Sequence, residues 1–445
     1  MVAEVEVTAR EDIHAAAGSR LERSTALKAR AESVVPSCTQ TFSKGPSQFV
    51  QGVAPVFLER GSGSHVWDVD GNEYIDTIAA LGAVILGYGD PYVGRAVRAQ
   101  LDDGVVLSLP HPLEVEVAEL LVEVIPCAEM VRFGKNGSDA TAGAVRAARA
   151  VTGRDHVACC GYHGWQDWYI GTTTRSAGVP GVIAELAHPF GYNDLPSLER
   201  VFAEHPGQIA AVILEPVGVV EPEPGFLEGV RSIASREGAV LVFDEVITGF
   251  RLALGGAQEL FGVVPDLACV GKALGNGLPI SAIVGRREFM AVFDEIFFSF
   301  TYGGDTLALA AAMATLERLR DGHAIEHLWR QGARLRDGYN ELAQSSGIGR
   351  NTACYGLAPR TVIAFRDADG AESLALKSIF QQEVVRRGVL SAGYHNVMHA
   401  HSDEDVEQIL EAYAAAVAVM VEALADGDLE GRLQGPPVQP VFRSF

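Results

Sequence analysis

Positive charge is scarce in this sequence: 35 lysines and arginines stand against 57 acidic residues over 445 positions, a formal net charge of −22. A surface of that sign argues against a nucleic-acid or anionic-membrane partner. It leaves room for a small anion, which a local site can hold against the global sign. Cysteine is sparse and unpatterned. Cys38, Cys127, Cys159, Cys160, Cys269 and Cys354 show neither CxxC nor zinc-finger spacing, so reduced thiols and no metal are expected. No uncharged apolar run reaches the ~18 residues of a spanning helix. The first 30 residues carry Glu4, Glu6, Arg10, Glu11, Asp12 and Arg20, and no signal peptide is visible there. A cytoplasmic location is the expectation. There is no internal repeat and no low-complexity stretch. Two glycine motifs are excluded as well. Gly61-x-Gly63 is no dinucleotide fingerprint, because Val66 follows and no helix does. Gly271-Lys272 is no Walker A loop, because Asp266 stands five residues earlier and Ala273 replaces the magnesium-binding hydroxyl.

What is there is an enzyme-sized chain, 48% hydrophobic, ample for two domains. A helix is expected over Glu11 to Glu32. Residues 61–76 read as a hairpin turning at Asp70-Gly71. Asp90-Pro91 caps a helix over Val93 to Leu101, and Leu113 to Val124 is a second helix. From Met130 onward apolar runs alternate with amphipathic ones. Strands are expected at Met130 to Phe133, Val157 to Cys160, Ile209 to Leu214, Ala239 to Phe243 and Leu267 to Val270. Helices fall at Ala140 to Val151, Val230 to Arg236 and Thr306 to Leu319. That alternation argues an α/β fold with a large, mostly parallel sheet covered by helices. Beyond Asp321, helices over 323–345 and 404–425 flank short strand candidates at 361–365 and 388–391. A smaller α+β domain built from both chain ends is expected, with residues 1–75 and 321–445 around a large domain at 76–320. The tail from Gly431 reads as irregular.

The chemistry centres on residues 239–279. Asp244 closes one apolar run; the next, Leu267 to Val270, leads into Gly271-Lys272 and a glycine-rich turn. In open α/β sheets ligands bind beyond the carboxyl ends of strands. A lysine beside one strand end and an acid beside another suit pyridoxal phosphate (PLP). That cofactor needs a lysine to hold its aldehyde as a Schiff base and an acid to keep its pyridine nitrogen protonated. The plainer alternative is a capping acid and a surface lysine. Against it, Lys272 sits between an apolar run and the small residues Gly271 and Ala273. Residues 134–139, a glycine turn with Ser138 entering a helix, offer backbone N–H groups and a helix dipole to an anion; an ordinary capped turn reads the same way. Tyr162, after a strand, can stack on a planar cofactor or simply pack in its loop.

Together these residues resemble the class III, fold type I PLP-dependent aminotransferases, near the glutamate-1-semialdehyde aminomutase branch. The resemblance runs from Ser43 to about Ala425 through DVDGNEYID (68–76), NGSDA (136–140), YHG (162–164), LEPV (214–217), FDEVITGFR (243–251), PDLACVGKALGNGLP (265–279), TYGGD (301–305) and HSDED (401–405). It implies that Lys272 is the Schiff-base lysine and proton shuttle, and that Asp244 partners the pyridine nitrogen. It implies Tyr162 and Val246 on the two ring faces, Gly137 and Ser138 at the phosphate, and Glu215 near the cofactor. It also implies that Thr301 reaches the phosphate of a neighbouring subunit, making a homodimer with shared active sites. The chain departs from the aminomutase at Leu81-Gly82-Ala83, at Gly304-Asp305-Thr306 and at Tyr394-His395-Asn396. His395 and Asn396 are therefore expected at the substrate, where neutral hydrogen-bonding groups suit a hydroxylated acceptor. The expected reaction moves an amino group from an amino-acid donor, with glutamate the usual family choice, to an aldehyde or ketone. The acceptor expected is a sugar, aminoglycoside or other secondary metabolite. A true aminomutase and a non-catalytic protein on the same fold are the alternatives.

Overall fold

The computed structural model describes residues 20–440. Fourteen strands follow in chain order: β1 (Leu58–Ser62), β2 (His65–Asp68), β3 (Glu73–Asp76), β4 (Met130–Gly134), β5 (His156–Cys160), β6 (Ala187–Pro189), β7 (Ile209–Leu214), β8 (Val240–Asp244), β9 (Leu267–Val270), β10 (Ser281–Gly285), β11 (Thr352–Tyr355), β12 (Arg360–Phe365), β13 (Val389–Leu390) and β14 (Tyr394–Asn396). Seven form the main sheet in the order β4-β10-β9-β8-β7-β5-β6. Only β10 runs antiparallel, against both β4 and β9. Every residue of β7, β8, β9 and β10 is buried. Strands covered on both faces read as unbroken apolar runs, which is why β7 to β9 are legible in the sequence.

One face carries the helix Gly137–Thr152, whose Ala140, Ala144 and Ala148 pack with Ile213, Val242 and Cys269. Small residues let it lie close: a Cβ on Gly143 would sit 2.5 Å from Ile283. The other face is divided. The helices Leu195–Glu204 and Phe226–Glu237 cover Ala158, Val212 and Leu241, while Thr306–Leu319 covers Ala268 and Val270.

Two smaller sheets lie outside this body. The hairpin of β2 and β3 forms as expected, flanked by β1 on one side and by β13 on the other. The β13–β3 pairing is parallel, Val389 beside Ile75, and joins the two ends of the chain. Strands β11, β12 and β14 form an antiparallel sheet. Helices His323–Ser345, Leu374–Arg386 and Asp403–Asp426 share Tyr339, Phe380 and Tyr413 in one core that also takes in Ala268 and Val270. That core runs through residue 320 without a break.

Some details differ from the sequence reading. The expected helix over 11–32 is helical at Glu22–Glu32, and residues 11–19 lie outside the described part. The tail from Gly431 is irregular to residue 440, but it is tied down. Val438 is buried and its N–H donates to Ser378 Oγ at 2.9 Å. Asp403–Asp426 is long and apolar enough to cross a membrane by length and composition. Its Val406, Ile409, Tyr413 and Val417 are buried in the core instead. All six cysteines are free.

Candidate active site

Five parallel strands deliver the site. Both β4 and β9 oppose β10, so they run together with β8, β7 and β5. At the carboxyl ends lie Gly137 and Ser138 after β4, Lys272 after β9, Asp244 ending β8, Glu215 after β7, and Tyr162 and His163 after β5. Loops at this edge of such sheets hold ligands.

Asp244 is 4% exposed. Its Oδ2 lies 2.8 Å from Nδ1 of His163, and its Oδ1 accepts the Val246 N–H at 3.1 Å. A buried carboxylate needs such partners to stay charged. His163 is itself buried, stacks on Trp168 at 5.9 Å, and leaves Nε2 without a hydrogen-bond partner among the described residues. With Nδ1–H donating to the carboxylate, the imidazole fixes how Asp244 points. The sequence reading passed over His163 although it stands inside YHG; the signal was a histidine beside a strand-end aromatic in a chain with a strand-end acid.

Lys272 has a φ of 42°, left-handed for a residue with a side chain. It opens the 3₁₀ turn Lys272–Gly275, which ends at Asn276, also left-handed. Such strain costs about 1–3 kcal/mol and persists where the surroundings enforce it. The far end of the turn is fastened: Asn276 Oδ1 accepts the Ile85 and Leu86 N–H groups, both at 2.9 Å. Burial pulls the Lys272 amine down to about 8, and the nearby Arg360 charge adds to this. Glu215 and Asp244 oppose the shift. At pH 7 about a tenth of the amine is then neutral, some hundred times more than for an unshifted lysine, and able to act as nucleophile or base.

The turn before the helix Gly137–Thr152 is tightly built. Asp139 Oδ2 accepts the Asn136 N–H at 2.7 Å, and Ser281 Oγ donates to the Asn136 carbonyl at 2.7 Å. A Cβ on Gly137 would meet Val246 at 2.8 Å, and one on Gly164 would meet Ser138 Oγ at 2.2 Å. So the phosphate-type turn, the expected ring-face valine and the YHG loop are packed against one another, with glycine needed at both contacts. Helix-opening N–H groups lack partners within the helix and here face the same edge as Lys272. Tyr162 keeps half of its surface exposed and meets Tyr169 edge-on at 5.7 Å. Its N–H donates to Glu215 Oε2 at 3.0 Å.

The substrate expectation for His395 is corrected. On β14 its ring is 1% exposed. Nδ1 bonds Thr361 Oγ1 and Nε2 bonds Tyr413 OH, both at 2.7 Å. Burial pushes its pKa down to about 3. It is a neutral core residue with no nitrogen left for substrate. Asn396 is also buried, and its Nδ2 donates to the Ile78 carbonyl at 2.9 Å. It thereby braces an unusual turn: Ala79, Ala80 and Leu81 have φ of 49°, 50° and 62°, followed by Gly82 at 84°. Asp76 anchors the start of that turn through the Ile78 and Ala79 N–H groups, at 2.7 and 3.2 Å. HSDED is likewise structural. Ser402 and Asp405 cap the helix Asp403–Asp426, and Asp405 also accepts from Ser64 Oγ at 2.8 Å. Arg360 was not anticipated. It opens β12 half-buried, its Nη1 donates to the Gly218 carbonyl at 3.1 Å, and among the described residues no carboxylate pairs with it. Thr301 is exposed in the loop between Phe298 and Thr306 and makes no hydrogen bond among the described residues.

The residues fit PLP: a buried amine of lowered pKa, a buried carboxylate with fixed orientation, a helix N-terminus for phosphate and an aromatic at the rim. The fold is that of the fold type I PLP-dependent transaminases. It superposes on the PLP internal aldimine form of the FumI protein of Sphingopyxis sp. MTA144 with a TM-score of 0.86 and 31% identity, covering 94% of this chain and 99% of that one. Residues 48–417 match the family model for aminotransferase class-III. The chain belongs to the class III aminotransferases and is PLP-dependent. It is 35% identical to the 3-aminobutyryl-CoA aminotransferase of Cloacimonas acidaminovorans over 91% of this chain and 99% of the relative. It is 39% identical to the glutamate-1-semialdehyde 2,1-aminomutase of Syntrophobacter fumaroxidans over 84% and 93%.

Proposed function

We propose that the chain moves an amino group from an amino-acid donor, glutamate in the first instance, to an aldehyde or ketone acceptor. The observation that carries this is the meeting of Lys272, Asp244, Glu215 and the Gly137-Ser138 turn at neighbouring strand ends. Bound there, PLP supplies the electron sink that lets an amino acid lose its α-proton. Lys272 holds the cofactor and moves that proton, for which its lowered pKa suits it. Asp244, held by His163, keeps the ring nitrogen protonated. Gly137 and Ser138 bind the phosphate, Tyr162 and Val246 face the ring, and Glu215 steadies the Tyr162 loop. Arg360, without a carboxylate of its own, is the group we assign to the donor's carboxylate. The hydroxylated-acceptor reading loses the support of His395, whose two ring nitrogens are both taken, while Asn396 keeps an Oδ1 without a partner among the described residues. Residues 76–320 would form the cofactor-holding body and the two chain ends the smaller one.

The test is a half-reaction. PLP-loaded enzyme mixed with glutamate should lose its cofactor absorbance and regain it on addition of an aldehyde or ketone. Amines without a carboxylate should react far more slowly. Equal rates for such amines would remove Arg360 from its role. The aminomutase reading is favoured by the 39% identical relative. It predicts instead that pyridoxamine-phosphate-loaded enzyme rearranges its substrate with no external donor.

We further propose a homodimer. Leu109, Val115, Phe297 and Tyr302 are between 60% and 80% exposed. A groove of about 700 Å³ between Val115, Val122, Phe133 and Phe300 borders the Thr301 loop. Apolar surface of this kind calls for a partner, and a second copy would bring its Thr301 to the phosphate.

A further inference from the structure

The opposite end of the main sheet carries a second cluster of chemistry-bearing side chains. His156 opens β5, at the far end from Tyr162. His188 is the middle residue of β6 and pairs with Ala158 in the parallel register. His205 ends the helix Leu195–Glu204. Residues two apart on a strand share a face, so His156, Ala158 and His188 lie on one side. The helix covers that side, its Leu198 and Val201 packing with Ala158, and brings His205 to it. Nδ1 of His156 is 2.7 Å from Nε2 of His188, and one nitrogen from each of the three rings lies within 4.8 Å of the others. The rings stack, with centroids 3.9 Å apart for His188 and His205, 4.9 Å for His156 and His205 and 5.0 Å for His156 and His188. The backbone fixes the arrangement. The Gln208 N–H donates to the His205 carbonyl and the His156 N–H to the Gln208 carbonyl, both at 3.1 Å.

Three imidazoles so placed satisfy one another poorly. Two can share one N–H···N bond, and protonating one opposes protonating the next. We propose that His156, His188 and His205 form a binding site for a divalent transition metal of the zinc, nickel or copper class, with water in the remaining position. Imidazole suits these ions. Zinc–nitrogen bonds of about 2.0–2.1 Å place tetrahedral ligands ~3.3 Å apart, so the stacked rings must turn their lone pairs inward to close on an ion. Asp155 adjoins His156 and Glu204 adjoins His205 in sequence, which puts two carboxylates near the proposed ligands. The ion would tie β6, the edge strand of the sheet, and the end of one helix to β5. Strand β5 spans five residues at ~3.3 Å each, so the metal stands apart from the Lys272 chemistry and serves as a staple.

The test uses the full PLP-loaded chain without a polyhistidine tag, stripped with a chelator and titrated with zinc by calorimetry and with cobalt by visible absorption. Outer-shell losses cost ~10–100-fold in metal affinity, so loss of a direct ligand is expected to exceed ~100-fold. Wild type should bind one zinc per chain and melt at higher temperature with it. His188→Asn and His205→Gln should lose both effects while cofactor absorbance and turnover stay unchanged. His205→Gln, at a helix end, keeps the test sound should the strand variant fold poorly. Bound cobalt should show strong tetrahedral bands without a sulfur charge-transfer band. Equal zinc affinity in wild type and His205→Gln, a sulfur band placing the ion on cysteine, or no zinc binding at all would overturn the proposal.

Discussion

The roles proposed for Asp244 and Lys272 depend on what surrounds them. The carboxylate has one oxygen on the His163 imidazole and the other on the Val246 N–H, so its direction is set before any cofactor arrives. Asp244→Asn keeps the shape and loses the charge. Removing one preorganised electrostatic partner typically costs ~10²–10³ in rate. We expect a loss of that order with cofactor still bound, measured as single-turnover donor consumption. Wild-type turnover in that variant would make the acid purely structural. The lysine gives a pH signature. Its amine is neutral above its pKa, which burial lowers from 10.5 to about 8. The rate at which cofactor-free chain captures added PLP should therefore rise with pH and level off above about 8, followed by stopped-flow absorbance. An unshifted lysine would leave that rate still climbing at about pH 10.

Elements explain what could be read in advance. The parallel strands were legible because both faces are buried, so nothing interrupts their apolar runs. The edge strand β6 and the polar β11 and β14 carry no such run and were missed. His395 misled for a physical reason. Its place at a departure from the aminomutase pattern points to the substrate, yet the hydroxyls that satisfy His395 come from Thr361 and Tyr413, 34 and 18 residues away, and nothing local announces them. Arg360 was missed likewise, since its nearness to Lys272 is purely tertiary. The tight contact between the YHG loop and the helix start was also invisible. It yields a prediction: Gly164→Ala forces a Cβ to 2.2 Å from Ser138 Oγ at a φ of +99°. Overpacking of this kind costs about 1–3 kcal/mol. The urea midpoint should fall and cofactor retention should weaken together. Unchanged values for both would show that the loop yields freely.

At the scale of the molecule, the proposed dimer would tie assembly to cofactor through the exposed apolar groove and the Thr301 loop. Ligands that bind only the assembled form stabilise it by mass action. Thr301→Ala should retain PLP ~10–100-fold more weakly, the cost of one hydrogen bond to a charged group, and cofactor removal should loosen the wild-type dimer in sedimentation. An active, PLP-loaded monomer would contradict this. The central claim is that this chain holds PLP through Lys272 at the carboxyl edge of its main sheet. The whole chain has only five lysines, Lys28, Lys44, Lys135, Lys272 and Lys377. Borohydride reduction of the PLP-loaded enzyme, followed by peptide mass mapping, reports which of them carries the cofactor. The account predicts the added mass on Lys272 alone; the same mass on any other lysine, or on none, would contradict it.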